Sequence, residues 1–154
     1  MRDDFAERLA TMPDAKKIAI AIYGESVASY RYGVLADKAA SEEHRQLFAD
    51  MRDEEKGHRA ALEHLGRKHF PGCDFVLTSE DKDLVIAGAR MLEVGDVQSF
   101  RKAMRFLHDT ELRTGEFYRT LVKSMPDGEL GNFLKSMAKE CVEHAESLLR
   151  IDPP

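Results

Sequence analysis

Tryptophan is absent from this 154-residue chain, cysteine occurs twice and proline five times. Two cysteines, Cys73 and Cys141, exclude a disulfide framework and any four-cysteine metal site. Long apolar runs are missing as well. The stretch from Ile18 to Gly24 falls far short of the ~20 residues that span a bilayer, so no membrane partner is expected. The first residues, Met1-Arg2-Asp3-Asp4-Phe5, lack the apolar segment of a secretory signal. Positive charge is not in excess. With 23 Lys and Arg against 28 Asp and Glu the formal net charge is −5, which argues against a nucleic-acid partner. Period-two alternation is nearly absent too. Its one trace, Phe75-Val76-Leu77, is too short to found a sheet. These absences leave a single domain over residues 1–154, expected to be soluble and cytoplasmic, with enough chain to bury one core.

What the chain has in abundance is helical periodicity. Apolar residues recur at three and four, and the breaks fall at Pro13, Pro71-Gly72 and Pro126-Asp127-Gly128. A first long helix is predicted from Asp14 to about Ala39, with Pro13 in its first turn. A second follows Ser41, whose hydroxyl can cap it, and runs to about His69. The segment from Phe70 to Thr78 reads as loop, and Ser79 to about Glu93 as a shorter helical stretch capped by Ser79. Asp96 can cap a third long helix ending near Met125, and Asp127 a fourth ending near Arg150. Helices of ~25 residues are ~37 Å long. Short connections after the first and third make antiparallel pairs. The long connection after the second has the length of a crossover. The fold class expected is therefore all-α: an antiparallel four-helix bundle with one long crossover carrying an extra short helix.

The informative residues are polar groups on apolar stripes. Glu25 interrupts the first, Glu55 and His58 the second, Glu111 the third, and Cys141 and His144 the fourth. Buried carboxylates are costly unless paired or coordinated, so acids and imidazoles converging in a core call for cations. Taken one at a time, each could be a boundary residue reaching water. Their spacing argues otherwise. An offset of 86 residues relates Glu25 to Glu111, His58 to His144, Tyr32 to Tyr118, Met51 to Met137 and Glu54 to Glu140. The chain reads as an internal duplication without a gap. Packing gives no reason to keep Glu and His at central positions of both halves.

The run Glu25-Ser26-Val27-Ala28-Ser29-Tyr30-Arg31-Tyr32 resembles the E-S-x-A-x-x-R-Y segment of rubrerythrins. Glu54-Glu55-Lys56-Gly57-His58 is similar to their E-E-x-x-H, and Glu111 followed by Glu116-Phe117-Tyr118 to their third-helix pattern. The resemblance extends from about Asp14 to Arg150 and implies a ferritin-like bundle holding two divalent metal ions, iron first and zinc as the alternative. Glu25 and Glu111 would be terminal ligands, Glu55 a bridge, and His58 and His144 the nitrogen donors. Tyr32 and Tyr118 would donate hydrogen bonds to ligands, or serve as ordinary aromatic core. Where the pattern requires Glu three residues before His144, this chain has Cys141. Either Cys141 coordinates as a thiolate, which favours zinc, or Glu140 replaces the missing bridge, or one metal position is weak.

The function implied is a dinuclear iron protein that reacts with oxygen or peroxide. Because the rubredoxin cysteines are absent, electrons would come from an external donor. The alternative is a non-catalytic metal-binding or storage module, occupied by zinc. A homodimer is expected on the same resemblance. His64, His69 and Cys73 form a minor metal-site candidate near the loop after the second helix, and His108 stands one turn before Glu111.

Overall fold

The computed structural model describes residues 2–85 and 97–151. In chain order the helices are α1 (Arg2–Thr11), α2 (Asp14–Lys38), α3 (Glu42–His69), α4 (Ser79–Asp83), α5 (Val97–Ser124) and α6 (Gly128–Ile151). No strand occurs among the described residues, and Phe75-Val76-Leu77 is irregular chain.

Local chemistry sets most helix ends. Pro13, with φ −59°, precedes α2, and Asp14 lies in its first turn, where negative charge suits the dipole. The Ser41 hydroxyl accepts the His44 amide at 3.1 Å and caps α3. Arg67, Lys68 and His69 occupy the last turn of α3. The cap of α4 is Thr78, one residue earlier than the expected Ser79. Thr78 Oγ1 accepts the Asp81 amide at 3.1 Å, and Asp81 Oδ2 accepts the Thr78 amide at 2.9 Å. The reciprocal pair needs an acid three residues beyond the cap, and Thr78 has Asp81 there. The expected continuation of this helix to Glu93, and the Asp96 cap, fall outside the described residues beyond Val85. Between α5 and α6 the chain turns so tightly that a Cβ at Gly131 would lie 2.4 Å from the Pro126 carbonyl.

Helix α1 was not anticipated. Ten residues are too few to be stable as an isolated helix. Tertiary contact holds it: Leu9 is completely buried, and the Phe5 ring lies 6.5 Å from that of Phe117 on α5.

Helix α2 packs along α3, and α5 along α6. Residues 39–41 and 125–127 are the short connections that make each pair antiparallel, and the crossover between the pairs begins at residue 70. The all-α four-helix bundle expected from the sequence is thus the architecture found. Its interior falls into two apolar clusters. One includes Ile18, Leu62, Phe117, Leu121 and Leu134, the other Leu35, Phe48, Met51, Met104 and Leu148. Burying each of these side chains contributes about 1.5–3 kcal/mol. Between the clusters lie Glu25, Glu55, Glu111 and His144, all buried.

Candidate metal centre

Each long helix contributes to this polar layer, because each apolar stripe brings its interrupting residue to the bundle axis. Helix α2 supplies Glu25, α3 supplies Glu55 and His58, α5 supplies Glu111, and α6 supplies Cys141 and His144. Glu55 is the pivot. Its Oε1 is 3.4 Å from Nδ1 of His58 and 3.4 Å from Nδ1 of His144. His58 Nδ1 is also 3.8 Å from Glu25 Oε2, and His144 Nδ1 is 3.5 Å from Glu111 Oε1. Two sets of potential ligands result, Glu25–Glu55–His58 and Glu55–Glu111–His144, with the donor atoms of each set all within 4.8 Å of one another. Glu55 belongs to both.

The surrounding contacts are reciprocal between the halves. The Tyr32 hydroxyl donates to Glu111 Oε1 at 2.5 Å, and the Tyr118 hydroxyl donates to Glu25 Oε1 at 2.6 Å. His58 Nε2 is 2.5 Å from Glu140 Oε2, and His144 Nε2 is 2.7 Å from Glu54 Oε2. Adding 86 to the first residue of one contact and subtracting 86 from its partner gives the other contact. Every imidazole therefore turns Nδ1 toward the inner carboxylates and Nε2 toward an outer carboxylate on the opposite helix pair.

The electrostatics of the layer follow from burial and from these neighbours. Burial pushes the Glu55 pKa well above the usual carboxylate range, reinforced by Glu25 and Glu111. Burial would raise Glu25 too, but the nearby His58 and Glu55 and the hydrogen bond from Tyr118 outweigh it and leave that carboxyl below its ordinary value. Burial disfavours charge on His144, yet Glu111 and Glu54 lift its pKa to about 9. His58 is raised likewise, by Glu25 and Glu140 against burial. These shifts all oppose the gathering of unpaired charge in the core. Even so, Glu25 Oε2 and His58 Nδ1 are buried without a hydrogen-bond partner, and both belong to one ligand set. Orphaned donor atoms facing a common point, with a carboxylate shared between two sets, fit a pair of divalent cations.

Other candidates from the sequence lie differently. Glu140 sits on the outer side of His58 and belongs to neither set. Cys141 is buried beside the carboxylates and is also outside both sets. Burial, then Glu111, Glu25 and Glu55, hold its thiol pKa far above the ordinary value. His108 turns to Asp109, at 3.1 Å. Cys73 is exposed, and His69 approaches Glu129 at 4.0 Å. Among the described residues no ligand set includes His64, His69, Cys73 or His108.

Sequence reasoning missed the contact of Glu54 with His144. The signal was present: Glu54 and Glu140 are related by the same offset as the two histidines. It also passed over Arg31, which is 1% exposed and lies 4.9 Å over the ring of Phe106.

A hypothetical protein from Pyrococcus furiosus has a similar fold, with a TM-score of 0.80 and 24% identity, over 95% of this chain and 92% of that one. No curated protein matches the chain. The rubrerythrin family model matches residues 16–151, a span that contains both ligand sets and all of the four long helices except the first two residues of α2. A chain with this bundle, this central layer of acids and imidazoles, and this match belongs to the rubrerythrin family.

Proposed function

We propose that the chain is a dinuclear iron protein that reduces hydrogen peroxide or oxygen with electrons from a separate donor. The observation that carries this reading is the pair of ligand sets sharing Glu55. Glu25, Glu55 and His58 would hold one ion, and Glu55, Glu111 and His144 the other. When bound, two iron(II) ions supply one electron each, which with two protons convert hydrogen peroxide to two waters.

The protein's own groups prepare that chemistry. The Tyr32 and Tyr118 phenols fix one oxygen each of Glu111 and Glu25 and so hold both carboxylates in place beside the imidazoles. Both phenols keep their protons, because burial and the neighbouring carboxylates raise their pKa values well above the ordinary one. Glu54 and Glu140 hold the imidazole rings with Nδ1 inward. These residues include only two cysteines, too few for a four-cysteine iron site, so in the proposed reaction the electrons come from a donor outside them.

Anaerobic titration of the metal-free protein with iron(II), followed by hydrogen peroxide, tests the proposal. Two iron(II) per chain, both oxidised by one equivalent of peroxide, is the expected result. Failure to bind iron, or bound iron(II) that peroxide leaves unoxidised, overturns it. Cys141 favours a second reading, a zinc-holding module without turnover, because a buried thiol stands where the second bridging carboxylate is expected. Full zinc occupancy that iron cannot displace would select it.

A further inference from the structure

Among the described residues, two faces of the polar layer differ in what lines them. Toward α3 and α6, the ion pairs Glu54–His144 and Glu140–His58 stand outside the imidazoles. Toward α2 and α5, a crevice descends to the three inner carboxylates. Its walls include Ala28 on α2, Leu107, Thr110 and Thr114 on α5, and Val85 after α4. Ala28, Thr110 and Thr114 are half-buried and form the outer part, while Leu107 and Val85 are buried. The space open to the centre of a water-sized sphere is about 20 Å³. A single water needs about 10–15 Å³ by that measure, so the crevice admits a body of no more than about two heavy atoms.

Val85 narrows this space. It is 1% exposed and packs on the bare backbone of Gly24, where a Cβ would come 2.6 Å from a Val85 methyl. Valine has a stiff χ1, so this wall does not swing aside as a lysine or methionine would.

We propose that the crevice between α2 and α5 is the path by which the oxidant reaches the carboxylate layer. Val85 and Ala28 set its size limit: hydrogen peroxide and oxygen pass, and hydroperoxides bearing a bulky organic group do not. This rests on the function proposed above and adds the substrate's size class and its direction of approach.

Three arms test it. In iron(II)-loaded wild-type protein, hydrogen peroxide oxidises the iron at least tenfold faster than cumene hydroperoxide does. Val85→Ala enlarges the crevice and narrows that gap, while iron stoichiometry stays the same. Ala28→Leu fills the mouth, slows hydrogen peroxide at least tenfold and weakens azide binding to the oxidised iron protein by a similar factor, again with unchanged stoichiometry. The third arm needs no iron. Crystals under xenon pressure show xenon between Ala28 and Thr114 in the wild type and none there in Ala28→Leu. Equal wild-type rates for the two hydroperoxides overturn the size limit. An Ala28→Leu protein that binds iron and keeps wild-type rates and azide affinity overturns the path, as does xenon confined to other sites. Wild-type protein that fails to bind iron overturns the function above instead, so the two failures are distinguishable.

Discussion

Single side chains decide what the centre can hold. Glu54 and Glu140 are largely outside the core, yet each reaches an imidazole whose other nitrogen faces the buried carboxylates. Removing such an outer partner typically costs 10–100-fold in metal affinity. We therefore expect Glu54→Ala and Glu140→Ala to weaken iron(II) binding by about that factor in competitive titration, with helicity unchanged. Glu54→Gln should recover most of the loss, because its amide oxygen still accepts from the imidazole N–H. Glycine at position 24 is also fixed by contact, since any side chain there must displace Val85. Gly24→Ala should destabilise the fold by about 1–3 kcal/mol in urea denaturation, the usual cost of overpacking. Val85→Ala should relieve part of that cost, an interaction visible in a double-mutant cycle.

Among the elements, α4 shows how a five-residue helix can be held. Its first turn is closed by the reciprocal Thr78–Asp81 bonds, and Asp81 lies 3.3 Å from Lys16 on α2. The hydrogen bond from the Thr78 backbone, with Lys16 and the Thr78 hydroxyl, outweighs burial and lowers the Asp81 pKa. A carboxyl with a depressed folded-state pKa adds stability at pH values above its unfolded value, about 3.9. That contribution disappears as pH falls through the folded value. Urea midpoints of wild type and Asp81→Asn should therefore differ at pH 7 and converge as the pH falls below about 3.9. Thr78→Ala should cost about 1 kcal/mol at neutral pH, the usual loss for a helix cap. Ser41 and Thr78 illustrate what was legible at this scale. The Ser41 cap could be read from its position before Glu42 and Glu43. The choice of Thr78 over Ser79 depended on which residue had an acid three positions on, a criterion that Asp81 made available.

For the whole molecule, the polar layer is a weak plane across the bundle. Apolar clusters on either side hold the helices together, while the layer between them depends on protons or cations to offset its carboxylates. An ion that binds only the folded chain stabilises it by about 2.7 kcal/mol at a hundredfold excess over Kd. Chelation should therefore lower the melting temperature of iron-loaded protein measurably, whereas helicity below the transition should stay high because the apolar clusters persist. No described helix is long and apolar enough to cross a membrane.

The sequence by itself determined the four long helices, their antiparallel pairing and the residues that meet at the axis. Those features follow from the 3.6-residue period, from caps and breakers, and from the 86-residue offset, all local or arithmetic properties of the chain. Only the tertiary structure decided the rest. It set α1 against Phe117, turned Nδ1 of each histidine inward, placed Glu140 outside His58 and opened a crevice toward α2 and α5. Such features depend on the distance and angle between helices far apart in the chain. No spacing along a single helix encodes them.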